Sequence, residues 1–161
     1  MSLKDFIADE ANYKCSIGEI EDALGTSAKV IPYYMLENMT IEQLFERDAV
    51  IILIQSPEGN HYITLLNKGS YIEYFDSYGD DIDYLINKSG QQPFLSNLLQ
   101  GHKVVVNKDR LQQMDKKIND CGRWAYVRVV LRHRSLKDFK KLFKSSLNPD
   151  EIVCLMTSLI F

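Results

Sequence analysis

Three cysteines, three histidines and scattered carboxylates are the groups of this chain able to do covalent or acid–base chemistry, and one trio stands apart by context. Cys121 precedes Gly122 and opens the run Cys121-Gly-Arg-Trp-Ala-Tyr-Val-Arg-Val-Val-Leu-Arg132, which has no helix breaker after the glycine. A thiol at a helix start sits among unpaired N–H groups at the positive end of the helix dipole, which favours thiolate over thiol. Such sites lower a cysteine pKa from about 8.5 to roughly 3.5–7.5, and the thiolate is the nucleophile. Gly122 is expected to remove bulk where a substrate carbonyl approaches. The same helix end can supply an oxyanion-binding N–H, with the side-chain amide of Gln112 or Gln113 as second donor.

His61 and Asp76 are the candidate base and its orienting acid. His61-Tyr-Ile-Thr-Leu-Leu66 and Tyr71-Ile-Glu-Tyr-Phe-Asp76 read as the strands of a hairpin around Asn67-Lys-Gly-Ser70. With Lys68 and Gly69 as the central pair, Leu66 faces Tyr71 and His61 faces Asp76. Opposed residues share a face of the sheet, with Cβ atoms about 4.5–5.5 Å apart. The carboxylate then accepts a bond from one ring nitrogen and leaves the other free as a base. Taken singly, each residue has an ordinary explanation: a surface histidine, a turn aspartate, a buried cysteine. Their joint pattern singles them out. Cys154 reads as core within Ile152-Val-Cys-Leu-Met156, Cys15 has no histidine nearby, and His102 and His133 read as turn and helix-end residues.

The elements that must position these groups follow from capping and periodicity. Capping boxes at Ser16/Glu19 and Thr40/Gln43 announce helices over Ile17–Leu24 and Ile41–Glu46. Lys29–Leu36 contains Pro32 and reads as a connector leaning on the core. Ala49–Ile54 is continuously apolar, as in a strand covered on both faces. A short strand is expected at Lys103–Asn107. Helices follow from Cys121, from Ser135 through Phe143, and after Asn148-Pro149, where Asn caps and Pro takes the first turn. The expected fold class is α+β: a central, mostly antiparallel sheet packed against the Cys121 helix, in one domain spanning 1–161.

Composition narrows the function classes. A chain of 161 residues, 45% hydrophobic and 25% charged, buries roughly 70% of its unfolded surface and needs no staple. Three dispersed cysteines, without CxxC or Cys/His zinc-ligand spacing, argue against a disulfide framework and a metal site. Reduced thiols in an intracellular setting are expected, with no cofactor. The first residues carry charge and no apolar stretch, so no signal peptide is expected, and no run approaches the ~18 apolar residues of a spanning helix. A soluble protein with no membrane partner is the expectation. The net charge of −3 hides an asymmetry: Arg123–Lys144 holds eight Lys and Arg against one acid, a local +7 that leaves −10 elsewhere. A solvated helix face is the ordinary reading of such a run; contact with DNA or another anionic partner is the alternative.

Asn60-His61-Tyr62, Tyr74-Phe75-Asp76-Ser77-Tyr78-Gly79, Gln112/Gln113 and Asp120-Cys121-Gly122-Arg123-Trp124 together resemble the adenain and SUMO-protease superfamily of cysteine peptidases. The Phe-Asp-Ser-Tyr-Gly and Cys-Gly-Arg-Trp stretches look closest to the small maturation proteases of virophages, Polinton-like elements and large DNA viruses. The resemblance implies a sheet that carries His61 and Asp76, a helix that presents Cys121, and Gln113 with the Cys121 amide as oxyanion donors. It implies a thiol endopeptidase that cuts after small residues, often glycine, and matures capsid protein precursors as a monomer in the virion or in the viral factory of the host cytoplasm. Two departures stand out. Tyr62 occupies the place where the family usually has Trp, and both glutamines lie further from the cysteine than the family's does. The alternatives are a deconjugating protease for a ubiquitin-like modifier, an acetyltransferase using the same thiol, and a non-enzymatic nucleic-acid-binding virion protein.

Overall fold

Residues 1–161 are described by a computed structural model. Its centre is the apolar run Ala49–Ile54, which extends to strand β2 (Ala49–Ser56) and is buried on both faces. Alternation divides that strand between two cores. Val50, Ile52 and Ile54 join Ile63, Leu65, Ile72 and Tyr74 on one face, while Ala49, Ile51 and Leu53 join Tyr62, Leu66 and Ala125 on the other. Pro57 and Glu58 turn β2 into β3 (Gly59–Asn67), and Ser56 pairs with Gly59 across the turn. Strand β4 (Ile72–Phe75) completes an antiparallel meander.

The sheet has five strands in the order β1-β2-β3-β4-β5 and is mixed, with the antiparallel β2-β3-β4 meander at its centre. The outer strands β1 (Lys29–Pro32) and β5 (Val104–Val106) each lie parallel to their neighbour. Lys29–Pro32 was expected as connector. Its proline stands at the last residue of an edge strand, where a missing N–H is tolerated. A 3-10 turn over Tyr33–Asn38 follows.

Helices cover both faces. α1 (Leu3–Asn12), α2 (Ile17–Leu24) and α3 (Ile41–Leu44) each begin with a capping box, at Ser2/Asp5, Ser16/Glu19 and Thr40/Gln43. Of these α1 was not anticipated, although Ser2-x-x-Asp5 carries the signal. The short helices α4 (Tyr84–Lys88) and α5 (Phe94–Leu98) cap the face opposite α6. α6 (Cys121–Val130) lies against β3, and Thr64 Oγ1 donates to the Ala125 carbonyl. α7 (Leu136–Lys141) and α8 (Pro149–Thr157) close a third apolar cluster around Trp124, Phe139, Phe143 and Val153. No helix is long and apolar enough to cross a membrane.

Much of the basic segment turns inward. Arg128 is fully buried and grips Glu73 with two bonds, Nε–Oε2 at 2.6 Å and Nη2–Oε1 at 2.8 Å. Arg123, equally buried, bonds Glu10 Oε2 at 2.6 Å and Thr157 Oγ1 at 2.7 Å. Lys140 and Lys141 pair with Asp109 and Asp138. The local +7 therefore overstates the surface charge, because Arg128 neutralises the buried Glu73 and buried Arg123 pairs with the half-buried Glu10.

Candidate active site

Asp76 leaves the end of β4 and meets His61, at the start of the buried part of β3: Nε2–H donates to Oδ1 at 2.8 Å. The route differs from the expected one. Asn67 pairs with Ile72 and Thr64 with Phe75, so the register is displaced by two residues, not the one that would reverse the faces. Beyond Phe75 no pairing with β3 continues, and the Tyr78 ring stacks on the imidazole at 4.8 Å and 18°. Asp76 opens the turn that follows β4, in which the Gly79 N–H donates to the Asp76 carbonyl at 2.9 Å. Its Oδ1 also accepts the Tyr78 N–H at 2.8 Å, and Asn107 Nδ2 donates to its main-chain carbonyl at 2.8 Å.

Each residue of Phe75-Asp-Ser-Tyr-Gly79 has a separate task. Phe75 packs edge-on against Phe139. Ser77 Oγ donates to Gln112 Oε1 at 2.7 Å, and its carbonyl accepts the N–H groups of Leu111 and Gln112. Gly79, at φ +72°, lies so close to Asp109 and Arg110 that a Cβ would stand 2.7–3.0 Å from their backbone. The Gln112 segment is thereby laid onto the Asp76–Tyr78 turn.

Gln112 is the amide brought to the thiol. It is fully buried and lines the same cavity as Cys121, and its Oε1 is held by Ser77 so that Nε2 is the outward donor, 3.3 Å from the Tyr78 hydroxyl. Gln113, the residue expected at this place, is exposed, and only its main chain is engaged: the N–H with Asp150 and the carbonyl with the Asp115 N–H. Of the two neighbours, Gln112 faces inward and Gln113 outward.

Cys121 is half-buried at the first turn of α6. Burial alone would raise its pKa; hydrogen bonding to the His61 imidazole, the ring's charge and the Tyr62 N–H outweigh that and lower it. Burial alone would likewise lower the His61 pKa; the charge and hydrogen bond of Asp76, with a smaller contribution from Cys121, raise it to about 10. Together these shifts favour a thiolate–imidazolium pair. The other thiols differ: burial pushes Cys15 and Cys154 up to about 12. With Nε2 committed to Asp76, Nδ1 is the nitrogen left for Cys121.

Gly122 serves packing, not substrate access. A Cβ there would come 3.1–3.3 Å from Ile20, Cys15 and Tyr62. Tyr62 itself is buried and donates to the Cys15 carbonyl at 3.1 Å. A cleft passes these residues in two parts that share Lys14, Asn60, Tyr78, Ile118 and Asn119: about 320 Å³ beside Cys121 and Gln112, and about 350 Å³ beside His61. Sequence reasoning missed Ser77, Tyr78 and Asn107 as supports, although the first two lie inside a stretch it singled out.

No protein-family model matches the chain. A Sputnik virophage protein, "Uncharacterized protein V9", is 27% identical over 159 residues, covering 86% of this chain and 91% of that one. The crystal structure of an ASFV protease superposes with a TM-score of 0.56 at 15% identity, over 94% of this chain and 69% of that chain. The SUMO protease Ulp1, crystallised with its catalytic cysteine oxidised to a sulfinic acid, gives 0.44 at 12% identity, over 99% and 84%. The mixed sheet with its flanking helices is thus an α+β fold shared with the ASFV protease.

Proposed function

We propose that the chain is a cysteine endopeptidase in which Cys121 is the nucleophile, His61 the acid–base, Asp76 the orienting carboxylate and Gln112 an oxyanion donor. The observation that carries the reading is a buried imidazole, fixed at Nε2 by a carboxylate, beside the one thiol whose pKa is lowered. The thiolate adds to the scissile carbonyl carbon. The oxygen takes up negative charge against the Cys121 N–H and Gln112 Nε2. His61 Nδ1–H gives its proton to the leaving amine, the C–N bond breaks, and a thioester remains on Cys121. Nδ1 then takes a proton from water, whose oxygen attacks the thioester and restores the thiolate.

A fold shared with a viral protease supports peptide-bond hydrolysis, and the virophage relative supports a viral setting. Capsid protein precursors are the proposed substrates, cut after small residues. Tyr62 and Tyr78 line the cleft beside Cys121, which favours small side chains next to the scissile bond. The test is incubation of the purified chain with glycine-containing peptides from candidate capsid precursors. Wild type should cleave them while Cys121→Ala and His61→Ala do not; cleavage that persists in Cys121→Ala contradicts the proposal.

A further inference from the structure

A second pair of carboxyls lies behind the thiol. Asp120 immediately precedes Cys121, Asp150 stands in the first turn of α8, and both are buried with their side chains in hydrogen-bonding contact. Asp150 joins two other elements: Oδ1 accepts the Trp124 Nε1–H of α6 at 3.0 Å, and Oδ2 accepts the Gln113 N–H at 2.9 Å. Asp120 Oδ1 has no N–H or O–H donor at all. Two carboxylates packed together cannot both ionise, and a proton held between them supplies the missing bond.

We propose that Asp150, with the carboxyl of Asp120 against it, is a positioning residue of the reaction above: it pins the Gln112–Gln113 segment to α6 and so fixes the distance between the oxyanion amide and the thiol. Gln112 is held on one side by its N–H to the Ser77 carbonyl and on the other by the Gln113 N–H to Asp150. Its amide is therefore referenced to the His61–Asp76 turn and to the nucleophile's helix together. This inference rests on the proposed protease chemistry and adds residues that touch no substrate.

The shared proton makes the clamp sensitive to alkali. Burial, followed by the charge and hydrogen bond of Asp150, pushes Asp120 up to about 9. The titratable and charged groups around the pair are Glu10 from α1, Cys15 before α2, Tyr78 from the β4 turn, Cys121 and Arg123 from α6, and Glu151 and Cys154 from α8. Below the Asp120 pKa the neutral acid donates to the Asp150 carboxylate. Above it two anions repel and release the Gln113 N–H.

Steady-state kinetics on three proteins test this. Asp150→Asn offers one acceptor to two N–H donors, so kcat should fall about tenfold to hundredfold with KM within about twofold. Alkylation of Cys121 by iodoacetamide should stay at the wild-type rate, because that reaction uses no oxyanion donor. Asp120→Asn keeps a permanent N–H donor for Asp150, so the alkaline fall in its kcat should move to higher pH than in wild type. An unchanged kcat in Asp150→Asn, or an Asp120→Asn alkaline limb identical to wild type, overturns the positioning role. Wild type that alkylates at Cys121 but cleaves no peptide overturns the protease reading instead.

Discussion

Replacing Asp76 with Asn isolates the charge behind the thiolate–imidazolium pair. The asparagine Oδ1 can still accept from His61 Nε2 and from the Tyr78 N–H, so the contacts of the turn survive. What disappears is the negative charge that raises His61 to about 10 against burial, which acts the other way. Without it the imidazole falls to the ordinary value of about 6.5 or below, and at pH 7.5 only about a tenth or less remains protonated. Cys121 then loses the cation that lowers its pKa, and burial takes it to or above the ordinary thiol value. The kcat/KM should fall by about 10²–10⁴. The assay is the pH dependence of Cys121 alkylation: the wild-type midpoint lies below that of a free thiol, and Asp76→Asn moves it upward. Stability reports the same linkage. A histidine with a raised pKa stabilises fully below about 6.5 and loses that contribution as pH passes about 10, so Asp76→Asn should cost stability at pH 6 and little above pH 10. An Asp76→Asn protein with the wild-type alkylation profile refutes the reasoning.

Gln112→Ala should lower kcat by about 10²–10³, as loss of an oxyanion donor does, while Gln113→Ala, whose side chain is exposed, should leave kinetics close to wild type. Arg128→Met strands Glu73 without a partner in the core and should cost about 3–5 kcal/mol in urea unfolding; adding Glu73→Leu should recover most of it. Gly79→Ala forces a Cβ to 2.7 Å from Asp109, at a φ of +72°, and should lower both Tm and kcat by dislodging the Gln112 segment.

The parts of this architecture with local signals were legible in the sequence. Capping boxes placed α2 and α3, Asn148-Pro149 placed α8, and the unbroken apolar run placed β2, because those signals lie within a few residues of what they specify. The β1 strand was not, since its pairing with β2 is set by a partner about twenty residues away and its proline argues locally against a strand. The His61–Asp76 contact was reached through a register wrong by two residues; Asp76 makes it from the turn that follows β4, not by ladder pairing. Gln112 and Gln113 are indistinguishable by type and nearly so by spacing, and only the Ser77 and Asp150 bonds decide which points inward. Buried Arg123 and Arg128 read as surface charge, because their partners Glu10 and Glu73 are remote in the chain.

The central claim is that Cys121 forms a covalent acyl intermediate with a peptide. A peptide aldehyde or vinyl-sulfone probe ending in glycine, followed by intact mass and adduct mapping, tests it most directly. The account predicts one adduct, on Cys121, formed at pH values below the free-thiol pKa and abolished by His61→Ala. Labelling that persists in Cys121→Ala on Cys15 or Cys154, thiols that burial holds near 12, contradicts it.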